Sequence, residues 1–448
     1  MNRQQRRAAE KQSRKGQAIP LTDVLASAIS LHQQGRWADA ESNYRAILQA
    51  FPQQPDACHY LGLLLHQQGQ SEAGIVLIQR AIDYFPAYTD AYNNLGNVYK
   101  ESGALDKAAA CYRKVIELAP DHAPALNNLG IVLRNQGDYE QAVIALQKAT
   151  ELAPDNYDFF QNLGNAYRKQ GAFKQSAEAF RRSIALQPYQ ADAYKNLWRT
   201  HYVAQEFEAA AEVLRQWLLV DPENPIAIHT LVAQTGEGEI PDRASNGYVQ
   251  QTFDKFAGSF DQVLERLDYR APEWVAGAVD KLYRQAANLV VLDAGCGTGL
   301  CGPLLKPYAT TLIGVDLSPN MLAKAMGRQV YEELIEAELV DYLEKQNASF
   351  DLIVSADTLV YFGELQPFLK AAKNALLAGG YLIFTLEKGE CGLDYKLNIH
   401  GRYSHARDYV AMTVAGAGLR VCAIEEVTLR KEAGEPVLGL LVTAELVS

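Results

Sequence analysis

The sequence predicts an all-α solenoid followed by an α/β, doubly wound domain that ends in an antiparallel β-hairpin. Three observations carry that prediction. Prolines recur at Pro52, Pro86, Pro120, Pro154, Pro188 and Pro222, each 34 residues after the last. An apolar run, Leu289 to Leu292, ends in Asp293 and opens into Gly295, Gly297 and Gly299. Beyond it, apolar strands and amphipathic helices alternate until two strand-like runs close the chain, the pattern of a parallel sheet covered by helices.

The 34-residue period frames six repeats, residues 21–54, 55–88, 89–122, 123–156, 157–190 and 191–224. In the third, Tyr92, Leu95, Gly96, Tyr99, Ala108, Tyr112 and Pro120 occupy the positions of the tetratricopeptide pattern, and Leu126, Leu129, Gly130, Leu133, Ala142, Leu146 and Pro154 repeat it in the fourth. One such helix hairpin cannot bury its apolar face alone, so the six stack into a curved solenoid with a concave groove. The sixth repeat departs from the pattern with Trp198 where the second to fifth have glycine and with Trp217 at a site mostly held by small residues. Both rings are expected in the core or at a domain contact, because Trp supplies large buried area. The run Ile226 to Thr235 reads as a capping helix, and Gly236 to Pro241 as a linker.

The sixth position of four successive frames holds Asn94, Asn128, Asn162 and Asn196. This column resembles the asparagine ladder in the repeats of O-linked N-acetylglucosamine transferase, and the resemblance implies a groove for an extended protein or peptide partner. An amide donates and accepts at once, so such a column can hold a peptide main chain without selecting side chains. The alternative is that these amides are solvated groove residues.

In the second half, a strand feeding Gly-x-Gly-x-Gly makes a turn against which a nucleoside can lie. The next strand, Thr311 to Val315, ends in Asp316, 23 residues after Asp293, about where a doubly wound sheet places the acid that grips a ribose. Gly297 to Gly302 also spells the dinucleotide fingerprint, but the matching glycine lies beyond Gly295, and Asp293 would face an anionic pyrophosphate. S-adenosylmethionine has no phosphate and bears a sulfonium and an ammonium, so an acid at this strand end suits it.

These residues resemble the class I S-adenosylmethionine-dependent methyltransferases over about the last 200 residues. The resemblance implies that Asp293, Gly295, Gly297 and Gly299 hold the methionine part of the cofactor, that Asp316 holds the ribose, and that Leu317 and Met321 flank the adenine. Glu338 stands where the family usually has an Asp near the adenine amino group, with Leu339 beside it. Asp357, at the end of the fourth strand, emerges where the transferable methyl should lie. The segment from about His229 to Trp274 is similar to the junction of bacterial tetratricopeptide-repeat methyltransferases, a family likened to small-acid methyltransferases such as those acting on trans-aconitate. In related enzymes an aromatic helix covers the cofactor, which makes Tyr248, Phe253 and Phe260 lid candidates, against the plain reading of a buried aromatic stripe.

The remaining order is a helix from Pro367 to Leu377 broken by Gly379-Gly380, a strand from Tyr381 to Leu386, a helix around Ser404 to Ala417, and strands Arg420 to Leu429 and Val437 to Leu446. The acceptor side of the reaction is expected to use Asp357, Tyr361, Tyr403 and His405. His405 could take a proton near neutral pH, and Arg402 could hold a carboxylate through its planar fork. The alternative for Arg402 to His405 is a helix start capped by Ser404.

Composition bounds the rest. A chain of 448 residues exceeds one core, and the domains are expected to be a basic arm over 1–20, repeats over 21–224, a cap and linker over 225–247 and the methyltransferase domain over 248–448. The formal charge is −11, while the first twenty residues hold six Lys or Arg against one Glu. The acidic body argues against nucleic acid as a partner. Residues 1–17 lack the apolar core of a signal peptide and read as a disordered arm, with a transit peptide or docking tail as the alternative. No membrane span is expected. Six scattered cysteines fit reduced thiols in a cytoplasmic protein, and neither they nor the eight histidines have metal-ligand spacing. Three functions stay open: a methyltransferase whose groove recruits a protein substrate or partner, a small carboxylic-acid methyltransferase whose repeats only assemble a complex, and a catalytically silent scaffold.

Overall fold

The computed structural model describes residues 20–283 and 288–447, so the basic arm of residues 1–17 lies outside the described residues. Two compact units divide the chain, Met1–Glu206 and Phe207–Ser448.

The first unit is a stack of helix hairpins: α1 (Leu21–Gln33), α2 (Trp37–Ala50), α3 (Pro55–Gln67), α4 (Ser71–Tyr84), α5 (Thr89–Glu101), α6 (Leu105–Leu118), α7 (Ala123–Gln136), α8 (Tyr139–Leu152), α9 (Tyr157–Gln170), α10 (Phe173–Leu186) and α11 (Ala191–Val203). The first helix of each repeat starts at the first residue of its 34-residue frame. The eighth residue of the frame sets how closely the paired helices approach. A Cβ on Gly96 would lie 2.7 Å from Tyr112, one on Gly130 2.4 Å from Leu146, and one on Gly164 2.8 Å from Phe180. These are overlaps, so a side chain there would force the hairpin open.

Trp198 occupies that position in the sixth repeat, and the compact units part a few residues later, at Glu206/Phe207 rather than after Asn224. Helix α12 (Phe207–Val220), with Trp217 only 2% exposed, and the cap α13 (Pro225–Thr235) belong to the second unit.

The turn inside the first five hairpins is a glycine in left-handed conformation: Gly35, Gly69, Gly103, Gly137 and Gly171, with φ from 74° to 88°. The sixth repeat has Gln205 there, at φ 61°. A side chain in that region costs about 1–2 kcal/mol, partly offset by the entropy that glycine would lose. Gln205→Gly is therefore expected to stabilise the chain by about 0.5–1 kcal/mol, and a thermal melt showing no gain would refute it.

The second unit continues with α14 (Asn246–Phe256), α15 (Phe260–Arg266) and α16 (Ala271–Leu282). It then alternates β1 (Leu289–Ala294), α17 (Gly302–Leu305), β2 (Ala309–Asp316), α18 (Pro319–Met326), β3 (Glu333–Glu336), α19 (Leu339–Leu343), β4 (Phe350–Ser355), α20 (Gln366–Ala375) and β5 (Leu376–Lys388). Two short strands, β6 (Tyr395–Leu397) and β7 (Tyr403–His405), precede α21 (Arg407–Gly416), β8 (Arg420–Glu432) and β9 (Glu435–Glu445).

Strands run β3-β2-β1-β4-β5 in parallel, with β9 antiparallel beside β5 and β8 beyond it. Alternate residues face opposite layers, as a sheet covered on both sides requires. Leu292, Ile353 and Phe384 pack with Phe368 and Leu369 of α20, whereas Val291, Leu352 and Ile383 pack with Val275 and Val279 of α16. The order reverses between β1 and β4, and such a switch point opens a crevice at the carboxyl ends of the strands.

Three local expectations change. Gly379 and Gly380 lie within β5 instead of breaking a helix before it, because Gly379 N–H and Gly380 O pair with Leu446 at the end of the hairpin. The last helix starts at Arg407, since Tyr403–His405 is drawn into the sheet against Glu387 and Lys388 and against β6. The closing turn is the two residues Ala433 and Gly434, with φ 52° and 90°, the primed geometry that matches strand twist. Among the described residues no helix is long and apolar enough to cross a membrane.

Candidate active site

The crevice is a cavity of about 400 Å³, bounded by the ends of β1, β2 and β4 and by α14 and α15. Nearly every residue expected at the cofactor lines it: Asp293, Gly295, Gly297, Asp316, Leu317 and Met321, with Glu338, Leu339 and Asp357. Gly299 is not in the wall. It lies one turn further on, where a Cβ would meet the Tyr331 ring at 2.9 Å, so its role is to let the loop pack beneath the site. Gly297 is the open one, with φ 55° and nothing within 4 Å of its would-be Cβ.

Asp293 is 1% exposed. Its Oδ2 accepts the Tyr331 hydroxyl at 2.7 Å, whereas Oδ1 is buried without a partner. Burial, opposed by the Tyr331 hydrogen bond and reinforced by Asp316, raises its pKa to about 7. A buried carboxylate oxygen left unpaired is costly, and a bound cation would relieve it. Asp316 ties the two loops together: Oδ2 accepts from Gly297 N–H and Oδ1 from Ser318 N–H, both at 2.9 Å. Each oxygen keeps a lone pair for a hydroxyl. Ser318 caps α18 at Met321 N–H and donates to Asp254 of α14 at 2.5 Å. Glu338 caps α19 through Asp341 N–H and ion-pairs with Arg243, so both its oxygens are engaged.

The far end of the cavity is a charge network. Arg430 is 2% exposed and its three guanidinium nitrogens meet Asp357 (2.7 Å), Glu432 (2.8 Å) and Glu387. Arg402 meets Glu387 and Glu432, both at 2.6 Å, and His400 Nε2 lies 3.5 Å from Glu387. Two arginines thus face three carboxylates. Asp357 sits at φ 57°, held by its own N–H on Thr385 Oγ1, and its Oδ1 is buried without a partner. Tyr361 lines the same end, its ring edge-on to Phe253 at 5.5 Å between centroids, and Phe253 and Phe256 both meet Phe260. The aromatic wall expected from Tyr248, Phe253 and Phe260 lines the cavity.

Two expected catalytic residues are corrected. Tyr403 and His405 are both 0% exposed and neither lines the cavity. Tyr403 donates to Pro241 O at 2.6 Å, and His405 Nε2 bonds Gly363 O at 3.0 Å. Burial lowers the His405 pKa to about 4, so it is a neutral core imidazole. Their place in β7 explains this: the strand pairs with both β5 and β6, and its side chains are buried in the packing around it. The cavity takes His400 and Arg402 from the same loop instead. Arg430, Glu387 and Glu432 were missed by sequence reasoning. The available signal was an arginine and a glutamate two residues apart in a strand, hence on one face.

The asparagine column is a set of bridges between repeats. Asn94 Nδ2 bonds His59 Nε2 at 2.9 Å, Asn128 Nδ2 donates to Asn97 Oδ1 at 3.2 Å, and Asn162 Nδ2 donates to Asn127 Oδ1 at 2.9 Å. Among the described residues Asn196 makes no such bridge; its backbone carbonyl accepts from Thr200 Oγ1 one turn later in the same helix. Each bridging amide is half-buried and has one committed donor.

Residues 292–384 match the family described as methyltransferase domain, and residues 25–89, 88–155 and 167–235 match families described as tetratricopeptide repeat. The chain thus carries tetratricopeptide repeats and a class I methyltransferase domain. Methyltransferase-like protein 27 of Homo sapiens is 29% identical over 160 residues, 35% of this chain and 64% of that protein. Ubiquinone biosynthesis O-methyltransferase of Idiomarina loihiensis is 32% identical over 101 residues, 21% of this chain and 41% of that protein. The chain therefore spans 41% to 64% of the length of these relatives. A solved structure of pilF from Pseudomonas aeruginosa is similar at 16% identity and TM-score 0.40, covering 45% of this chain and 92% of that one.

Proposed function

We propose that this protein transfers a methyl group from S-adenosylmethionine to an acceptor on a protein that its repeats recruit. The observation that carries the reading is the unpaired, buried Oδ1 of Asp293 beside the open turn at Gly297. Those residues fit the donor, whose ammonium Asp293 would hold. Asp316 would take the ribose hydroxyls, and Leu317, Met321 and Leu339 would flank the adenine, with Ala337 and Glu338 at its edge.

When bound, the donor supplies a carbon already activated toward displacement, so the chain's task is to align a nucleophile and exclude water. Phe253, Phe260 and Tyr361 form the apolar wall that does the second. For the first, Asp357 offers a buried acceptor oxygen to an O–H or N–H on the incoming group. His400, whose pKa is lowered by desolvation and by Arg402, is unprotonated at neutral pH and stands at the same end. A free carboxylic acid is the less supported acceptor, because both arginines there are already engaged by Asp357, Glu387 and Glu432.

Incubating the protein with labelled donor and a cell extract is expected to place label in macromolecules; label confined to small molecules would overturn the recruitment reading. Asp316→Ala is expected to weaken donor binding by about 1.5–3 kcal/mol, roughly ten- to a hundredfold, measured by calorimetry. Unchanged affinity would mean that the ribose lies elsewhere.

A further inference from the structure

The first helices of successive repeats approach one another directly and the second helices less so, which puts the first helices on the inner, concave side of the stack. The twelfth residue of each frame forms a column along that side: His32, His66, Lys100, Arg134, Arg168 and Tyr202. In the first repeats the column is paired forward to the thirteenth residue of the next frame. His32 bonds Gln67 at 2.8 Å, and His66 meets Glu101 at 2.9 Å.

The pairing cannot continue. The residue that would receive Arg134 is Lys169, and the one that would receive Arg168 is Val203. Among the described residues Arg134 makes a single long side-chain contact, with its neighbour Asn135 at 3.3 Å. Arg168 donates one Nη2 hydrogen to Asn165 at 2.7 Å, while its Nε is buried with no partner. The charges close enough to act on Arg168 are like charges, Arg199 and Arg134. With burial as the larger cause, they push its pKa down to about 10. The aspartates on the same helices, Asp158 and Asp192, begin the helix. Asp158 lies ten residues before Arg168, about 15 Å along the axis. Among the described residues none of Arg134, Arg168 and Arg199 forms an ion pair with a carboxylate, and in a chain of net charge −11 three such cations on neighbouring repeats are a feature that folding alone does not favour.

We propose that Arg134, Arg168 and Arg199 form an anion-binding strip in the repeat groove that takes the acidic side chains of an extended peptide. Three guanidinium groups on three successive repeats call for more than one anion, which a run of Asp or Glu supplies and a single carboxylate does not. Guanidinium forks are matched to carboxylates. Asn128 and Asn162, on the same helices, keep an amide oxygen or a second N–H for the peptide main chain, so side-chain charge and backbone are read along one groove. This deepens the recruitment reading, on which it rests, by giving the partner a chemistry.

The test uses the full-length protein and two fluorescent, unstructured twelve-residue peptides, one alternating Glu and Gly and one alternating Gln and Gly. The Glu peptide is expected to bind and the Gln peptide to bind at least about tenfold more weakly. Arg168→Gln and Arg199→Gln should each reduce Glu-peptide affinity about three- to tenfold, with Arg168→Lys in between. The triple Arg→Gln variant should lose binding, with helical content and donor affinity unchanged. Equal affinity for the two peptides, binding of neither, or an unaffected triple variant overturns the proposal. So does tighter binding of a single-stranded oligonucleotide through the same arginines. Recruitment itself is read separately, by capture from extract with an Asn128→Ala, Asn162→Ala double variant. Capture that depends on those amides while both peptides bind alike would keep recruitment and remove the anion strip.

Discussion

Asp293→Asn is expected to weaken binding of S-adenosylmethionine by about 2–4 kcal/mol, roughly thirty- to a thousandfold, because it removes one charge of a buried, hydrogen-bonded pair. The change keeps the shape and the Tyr331 contact, so the loss reports charge. A pH profile separates this from any other defect. In the free protein burial raises Asp293 to about 7, so at lower pH its proton must leave before the donor's ammonium can pair. Affinity should fall about tenfold per pH unit below 7, and it should fall again above about 8, where the donor's own amino group loses its proton. Calorimetry in two buffers of different ionisation enthalpy should show proton release on binding near pH 6.5. In the Asn variant the acid limb disappears. The stability sign is opposite to the binding sign. A carboxylate raised by burial contributes stability below its unfolded pKa and loses it as pH rises through about 7, so Asp293→Asn should be no less stable than wild type at pH 8. A wild-type affinity that is flat from pH 5.5 to 8 would remove Asp293 from the donor's ammonium.

Arg430→Met is expected to be the most destabilising single change at this site. The side chain is 2% exposed and is shared by Asp357, Glu387 and Glu432. Removing one partner from a buried ion pair costs about 3–5 kcal/mol, since the carboxylates lose compensation that water cannot supply. For a unit of this size that is roughly 6–20 °C of melting temperature. Burial alone would raise Glu432, but Arg402 and Arg430 hold it below the ordinary carboxylate range. A depressed carboxylate gives stability that is present above the unfolded pKa and lost as pH falls through the folded one. The gap between wild type and Arg430→Met should therefore be full at pH 7 and shrink below about pH 4. Melting curves at pH 7 and pH 3.5 check this; a gap of under 1 kcal/mol at pH 7 would show that Arg402 alone suffices.

The sequence by itself determined the parts whose signals are local or periodic. The six first helices start at Leu21, Pro55, Thr89, Ala123, Tyr157 and Ala191, as the 34-residue frame requires, because the signals are local: repeats two to five carry both the contact glycine and the turn glycine, the first keeps the turn glycine, and the sixth keeps the frame with Trp198 and Gln205 in their places. The turn from Asp293 to Gly299 and the second acid, Asp316, were legible because strand ends and positive-φ glycines are written in neighbouring residues. Tertiary structure alone decided which polar side chains face the cavity. Arg430 and Glu387 lie 43 residues apart and meet only through the pairing of β5 with β9 and of β9 with β8. Tyr331 reaches Asp293 across 38 residues. Within one loop, Arg402 lines the cavity while Tyr403 and His405 are buried away from it. The physical reason is the two-residue alternation of strands. Which face a side chain takes depends on register against a partner strand, and a one-residue change of register exchanges every inward residue for an outward one. Such register is set by contacts far away in the chain, so a local motif can name the residues near a site without saying which of them enter it.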